Sequence, residues 1–244
     1  MRRLEDEALI LGAVAYGESD KVVTLLCREH GKLSAFAPGA RKSKRRFAGA
    51  LEPGTRLRAR LLEGRGETLR LEGVDVMDGF GGIRESLESI SHAMYALELV
   101  RELVREREAA TGLYLALTDY LGRVHREGAN AARLVAFELE VLSLGGFRPV
   151  FERCVACGGL LSSRVSFDAA RGGTVCGACS SKGFGGVALD GSLLESFHAL
   201  QRGEARTFKP GEWRAARRML GAFVVHHLGR SLKSQSVMES LERA

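Results

Sequence analysis

No apolar run in this chain is long enough to cross a bilayer. Ala8 to Tyr16 is nine residues interrupted by Gly12, and Leu134 to Leu144 carries Glu138 and Glu140, whereas a membrane helix needs about 20 apolar residues. No small-residue cleavage site follows the first run, so the sequence predicts a cytosolic protein. Catalytic signatures are also missing. There is no Gly-x-x-x-x-Gly-Lys-Ser/Thr phosphate loop, no Gly-x-Ser-x-Gly elbow and no His-Glu-x-x-His helix. Carboxylates are scattered and mostly neighbour arginines, as in Val100 to Glu108, which reads as an ion-paired solvent face. Tandem repeats and low-complexity tracts are absent. With 45% hydrophobic and 27% charged residues, a wholly disordered chain is excluded.

What the sequence does hold is concentrated. Four of its five cysteines form two Cys-x-x-Cys pairs, Cys154/Cys157 and Cys176/Cys179, with eighteen residues between them. Tetrahedral Zn²⁺ asks for this layout, because each pair sets two thiolates on one side of the ion and the loop brings the second pair round. Glycines beside both pairs let backbone amides turn toward the sulfurs. Two disulfides, or free thiols, are the alternative, and a reducing compartment favours the metal. A closed four-thiolate site leaves no coordination position for a substrate, which again points away from an enzyme. Cys27, inside a β-branched run, reads as a small buried hydrophobe.

Charge is equally localised. The net charge is +6, but residues 21 to 70 alone hold thirteen Lys or Arg and four Glu, a net +9 that leaves −3 for the rest. The densest part is Gly39-Ala-Arg-Lys-Ser-Lys-Arg-Arg-Phe47, with cations at Arg41, Lys42, Lys44, Arg45 and Arg46. Their mutual repulsion is relieved when a polyanion binds and counterions are released; the other reading is a solvated loop that aids solubility. Arg56, Arg58 and Arg60 alternate with Leu57, Ala59 and Leu61 and form a second basic stripe on one strand face. Two such features in one small domain favour nucleic acid. Phe47 could stack a base or pack in the core or a hinge. Tyr16 and Phe36 are expected in the core, and Lys21 and Lys32, each at the start of a strand, read as ordinary strand-edge charges unless the barrel face they border is the binding face.

The organisation follows from period. Ala8–Tyr16, Lys21–Arg28, Lys32–Ala37, Thr55–Leu61 and Leu69–Val76 read as five short strands separated by Gly-containing turns. A five-stranded barrel fits them, with an SH3-like barrel or an open meander as alternatives. From about Ser86 the apolar step becomes three and four, predicting helices that continue through Leu113–Val124 and Ala131–Leu144. Helix returns at Ser192–Leu200 and from Glu212 to about Lys233. The class expected is α+β: an N-terminal barrel over 1–80, then a helical domain over 81–244 with the four-cysteine module inserted at about 150–185. The last long helix offers Arg214, Arg217, Arg218, Arg230 and Lys233. Arg214, Arg217 and Arg218 lie on one side and Leu220, Phe223, Val224 and Leu228 on an apolar one, so a basic face beside an apolar groove could hold an acidic, hydrophobic peptide tail. Alternatively the helix is docked by its apolar side with the arginines in water. His226 and His227 are expected on its surface.

The blocks Ala15-Tyr-Gly-Glu-Ser-Asp-Lys-Val-Val-Thr-Leu-Leu26, Arg28-Glu-His-Gly-Lys-Leu33, Pro38 to Phe47, Gly49-Ala-Leu-Glu-Pro53, Leu144-Gly-Gly-Phe-Arg-Pro149 and His226-His-Leu-Gly229 resemble the bacterial DNA repair protein RecO family along almost the whole chain. That resemblance implies an N-terminal OB-fold, a helical C-terminal domain and, in some members, a four-cysteine zinc module that stabilises rather than reacts. It implies binding of single- and double-stranded DNA, annealing of complementary strands, and work with RecR in helping RecA displace single-strand binding protein, whose acidic C-terminal tail is held by the helical domain. It also implies a cytoplasmic, nucleoid-associated location. Carried onto this chain, DNA contacts fall on Arg41, Lys42, Lys44, Arg45 and Arg46, with Lys21 and Lys32 beside them. One departure is Cys27, where a polar residue is expected. A competing class is an RNA- or ribosome-associated zinc-ribbon protein using the same basic barrel.

Overall fold

A computed structural model of the chain describes residues 2–43, 46–47, 49–64, 69–161, 164–183 and 186–241. Five strands come first: β1 (Arg3–Tyr16), β2 (Asp20–Cys27), β3 (Gly31–Ala37), β4 (Arg56–Leu62) and β5 (Leu69–Asp78). β1 is long enough to serve two partners. Its first half, Arg3 to Leu9, pairs antiparallel with β4, and its second half, Ala8 to Tyr16, with β2. Between Ile10↔Leu25 and Gly12↔Thr24 the register slips by one residue at Leu11, a β-bulge that bends the strand from one neighbour toward the other. β2 pairs with β3 and β4 with β5, both antiparallel, and the parallel contacts Ala35↔Leu69 and Phe36↔Arg70 close the ring in the order β1-β2-β3-β5-β4. This closed five-stranded ring is an OB-fold barrel, which removes the SH3-like and open-meander alternatives.

The first strand begins five residues earlier than the apolar run predicts. Arg3 to Glu7 is mostly charged, and it is held as strand by its neighbour: Glu5 faces Arg60 and Glu7 faces Arg58 across the β1–β4 ladder. Inside the barrel, Ala8, Ile10, Val23, Leu25, Cys27, Leu33, Ala35, Ala37, Leu57, Ala59, Leu61, Leu69 and Leu71 form one buried cluster. The alanines matter, because a five-stranded barrel has little interior to fill. Phe47 and Leu51, from the β3–β4 connection, complete the same core. Phe47 is 2% exposed, so it is a core residue and not a stacking platform. Cys27 is buried as expected, and burial together with the nearby Asp6 carboxylate pushes its thiol pKa well up.

A 3₁₀ turn (Gly81–Glu85) leads to α1 (Leu87–Leu103), whose N-cap Ser86 accepts from the Ser89 amide at 3.0 Å. α2 (Thr111–Glu127) ends where Gly128 takes a φ of 77°. Leu9, Leu11 and Leu26 are fully or almost fully buried although they lie outside the barrel's core cluster, consistent with α1 and α2 packing on β1 and β2. The barrel, α1 and α2 up to Ala129 form one compact unit together with the chain from Ser236; Asn130 to Gln235 forms the other.

In the second unit, α3 (Ala131–Leu144) is capped by Asn130. A three-stranded antiparallel sheet follows, β6 (Val165–Asp168), β7 (Gly173–Cys176) and β8 (Val187–Leu189), in the order β7-β6-β8, with a short helix α4 (Gly177–Ser180) after β7. α5 (Gly191–Gln201) and α6 (Pro210–Leu228) both pack on α3. Phe151 stacks on Phe197 with ring centroids 4.7 Å apart and meets Phe167, which meets Phe223 edge-on at 5.6 Å. The helix expected to run to about Lys233 stops at Leu228, because Gly229 adopts a left-handed φ of 69° that closes it. α7 (Lys233–Leu241) starts afresh. Among the described residues no helix is long and apolar enough to cross a membrane.

Candidate metal centre and nucleic-acid interface

Two tight turns bring the cysteines together. Cys154 and Cys157 lie on a turn in which the Gly158 amide donates to the Cys154 carbonyl at 2.8 Å and the Cys154 amide to the Gly159 carbonyl at 2.9 Å, with Gly158 at a φ of 74°. Cys176 ends β7 and Cys179 lies one helical turn later in α4. The four sulfurs lie within 4.8 Å of one another, and the Cys176 amide donates to the Cys154 Sγ at 3.3 Å. Tetrahedral coordination at a metal–sulfur distance of about 2.3 Å puts sulfurs about 3.8 Å apart, so a small contraction closes the set around an ion. Burial opposes ionisation of Cys154, but the amides of Cys176, Cys157 and Ala156 outweigh it and bring its pKa down to about 6. Cys179, hydrogen-bonded with Cys157, is pushed up to about 12. Four thiolates cannot coexist in this space unaided, and a cation supplies the missing compensation. The cluster can therefore hold a metal ion.

The basic loop is held by the turn between β1 and β2. Asp20 accepts from the Gly39 amide at 2.7 Å and from the Ser19 hydroxyl at 2.8 Å, and these bonds, the amide first, hold its carboxyl below the usual range. The Arg41 amide donates to the Ser19 carbonyl at 2.9 Å, and its guanidinium to the Gly17 carbonyl at 3.1 Å. Arg46 donates to the Pro38 carbonyl and lies over the Phe47 ring at 4.6 Å. The Ser43 hydroxyl accepts from the Arg46 and Phe47 amides at 3.1 and 3.2 Å. Arg41, Lys42 and Arg46 are exposed. Lys44 and Arg45 lie outside the described residues.

The remaining basic candidates are engaged elsewhere. Lys21 reaches Glu52 at 3.3 Å. Lys32 donates to the Arg101 carbonyl at 2.9 Å, a cation on the last turn of α1. Arg56 binds Glu7 at 3.1 Å and the Tyr114 hydroxyl at 3.2 Å, and holds the Glu7 carboxyl below its ordinary value. Arg58 lies about 4 Å from both Glu5 and Glu7 (3.9 and 4.0 Å), and Arg60 pairs with Asp75. The stripe seen on β4 thus faces acidic partners on both neighbouring strands, and among the described residues Arg41, Lys42 and Arg46 of the 38–47 loop are less compensated cations.

Tyr16 and Phe36 correct an expectation. Tyr16 is 61% exposed and meets the half-buried Phe36 edge-on with centroids 5.8 Å apart on the outside of the barrel, and neither belongs to the core cluster. Phe36 alternates on β3 with the inward Ala35 and Ala37. For Tyr16 the bulge at Leu11 is the cause. Ala8 and Ile10 point inward before it, Ala13 packs against the core after it, and Val14 and Tyr16 therefore turn out.

Likeness to known proteins runs along the full chain. Residues 1–80 match the family model described as Recombination protein O N terminal, and residues 84–236 the one described as Recombination protein O C terminal. The chain belongs to the RecO family. It is 52% identical over 239 residues to the DNA repair protein RecO of Myxococcus xanthus (strain DK1622), covering 98% of each chain. It is 44% identical to the protein of that name from Anaeromyxobacter sp. (strain Fw109-5), over 98% of this chain and 96% of the relative, and 35% identical to that of Geobacter sulfurreducens, over 99% of each.

Two of the sequence blocks quoted above have clear structural work. In Glu29-His30-Gly31-Lys32, the Asp6 carboxylate accepts from the Glu29 and His30 amides at 3.0 and 3.1 Å and bonds the His30 ring at 2.8 Å. Gly31 has a φ of 68°, and a Cβ there would collide with the Glu108 carbonyl. In Gly17-Glu18-Ser19-Asp20, Asp20 holds the basic loop as described above.

In the second unit, Arg218, Arg230 and Lys233 are exposed. Arg217 is not; it is 5% exposed and paired with the fully buried Glu138 of α3. The spacing carried the signal, because Arg217 lies three and seven residues before the buried Leu220 and Val224, on the apolar face. His227 likewise lies against Phe223 and Phe147, with centroids 4.3 and 4.9 Å away, so only His226 is a surface residue.

Proposed function

We propose that this chain binds single- and double-stranded DNA through its barrel, anneals complementary strands, and with RecR assists RecA onto gaps covered by single-strand binding protein. The observation that carries this reading is the 38–47 loop, which presents exposed Arg41, Lys42 and Arg46 and is tied to the β1–β2 turn through Gly39 and Arg41, in a chain of a DNA repair family. A tethered cationic loop binds phosphates with less ordering cost than a mobile one. It lowers the repulsion between two strands in one field so that base pairing can proceed, and since phosphate contacts carry no sequence information, annealing is general. Lys21, Lys44 and Arg45 add to this surface, and Lys32, Arg56, Arg58 and Arg60 contribute to its long-range field.

The ion in the cysteine cluster is Zn²⁺, one per chain, with a structural role. Four thiolates in a tetrahedral set suit zinc, and the closed shell offers nothing to a substrate, in keeping with a protein that makes and breaks no covalent bond. Cys154, Cys157, Cys176 and Cys179 hold it and so join the turn at 154–159 to β7. The acidic tail of single-strand binding protein contacts Arg218, Arg230 and Lys233, with Arg217 supporting α6 from within.

A strand-annealing assay with bare and protein-coated single strands tests the reading. Annealing accelerated by the chain, and abolished when Arg41, Lys42, Lys44, Arg45 and Arg46 are all replaced by Ala, supports it. A purified, metal-loaded chain that binds no oligonucleotide at low ionic strength overturns it.

A further inference from the structure

We propose that Tyr16 and Phe36 form a stacking platform for unpaired bases, so that the barrel grips single-stranded nucleic acid through base faces as well as phosphates. The inference rests on the nucleic-acid reading above and adds an interaction that distinguishes single strands from duplex.

Three observations carry it. First, the aromatic pair lies outside the barrel and is open to solvent. Tyr16 is 61% exposed and the neighbouring Val14 64%, although both are large apolar residues on an ordered strand. The ladder places Val14 opposite Val22 and Val22 opposite Phe36, so one apolar row crosses β1, β2 and β3 with the Tyr16 ring at its edge. Second, cations are tied to backbone carbonyls one or two residues along the chain from each aromatic. The Arg41 guanidinium donates to the carbonyl of Gly17, the residue after Tyr16, and Arg46 donates to the carbonyl of Pro38, two residues after Phe36. A guanidinium has five N–H donors, so one carbonyl does not exhaust it. Third, the occupant is identified by this pairing. A nucleotide joins a flat, weakly polar base to an anionic phosphate a few ångströms away, and an exposed aromatic next in the chain to a carbonyl that anchors a guanidinium suits both halves. A duplex keeps its base faces stacked inside and offers such a platform nothing.

In an edge-to-face contact with ring planes at 88°, Phe36 covers at most one face of Tyr16, so at least one face of the 61%-exposed ring stays clear of it. Tyr16 supplies the stacking surface, and Phe36 restricts its orientation.

The experiment compares wild type, Tyr16→Ser and Tyr16→Phe for binding a single-stranded oligonucleotide and the matching hairpin duplex across a salt series. A 2-aminopurine base in the single strand reports stacking. Tyr16→Ser is expected to weaken single-strand binding about 5- to 150-fold, the usual cost of removing one stacked base, with Tyr16→Phe close to wild type. Duplex affinity and the salt slope stay unchanged, and 2-aminopurine quenching falls. An unaltered single-strand affinity overturns the platform while leaving the phosphate reading intact, and so does an equal loss on duplex. Absence of binding by wild type overturns both. The melting temperature of Tyr16→Ser, expected to match wild type, separates a missing stacking surface from a damaged barrel.

Discussion

The carboxylate of Asp20 accepts a 2.7 Å hydrogen bond from the amide of Gly39, nineteen residues on. The bond joins the turn after β1 to the start of the basic loop. Asp20→Ala is expected to free that loop without unfolding the barrel. Amide exchange at Gly39 and Arg41 then accelerates, and DNA affinity falls although no cation has been removed. Unchanged exchange at Gly39 would show the loop to be held by other bonds. Because this amide lowers the Asp20 pKa, the clamp persists at neutral pH and opens only as pH falls through and below the ordinary aspartate range.

Replacing Arg41, Lys42, Lys44, Arg45 and Arg46 with Ala should weaken DNA binding and flatten its salt dependence. The slope of log affinity against log salt should shrink by about 0.7 for each single-strand phosphate that is no longer neutralised. The measurement is a titration at several salt concentrations, and an unaltered slope would take the loop out of the interface.

Phe47→Ala separates core from surface. A fully buried aromatic costs about 3–5 kcal/mol when cut to Ala, so denaturant unfolding should show a large loss of stability. Below the new melting temperature, DNA affinity should stay near that of wild type, because the ring fills the barrel core and only 2% of the residue reaches the surface.

Elemental analysis should find about one zinc per chain. Cys157→Ser, or a strong chelator, should lower the melting temperature, since metal binding free energy is folding free energy in a site that the unfolded chain lacks. DNA affinity at a permissive temperature should be retained. A selective loss of binding in a folded variant would make the metal module part of the interface.

His227 gives a pH signature. Burial against Phe223 and Phe147, with a smaller contribution from His226, lowers its pKa below the ordinary 6.5. The unfolded chain therefore binds its proton more readily, and stability is full above pH 6.5 and declines as pH falls below that value. His227→Leu should reduce the difference in melting temperature between pH 7.5 and pH 5.5.

Much of this is legible in the residues alone. The cysteine pairs are a local pattern whose meaning is set by the spacing of two short turns, and the structure brings all four sulfurs together. The five strands are visible in alternation and turn residues, and the barrel they predict is the one observed. Arg3 to Glu7 is not visible as strand, since a run of charges becomes β structure only beside partners of opposite sign on β4.

The amino-acid sequence by itself determined the barrel's inward residues on β4, the pairing of the four cysteines that cluster, the basic loop and the family. Tertiary structure alone decided which way Tyr16 points, which of the described arginines meet a carboxylate, and which carboxylate Arg217 meets. The reason is the same in each case. Alternation and helical period fix a side chain's direction relative to its own element, but one bulged residue at Leu11 reverses the parity of everything after it. A cation's worth, likewise, depends on the carboxylate that another strand or helix sets across from it: Glu5, Glu7 and Asp75 for the β4 stripe, and Glu138 for Arg217.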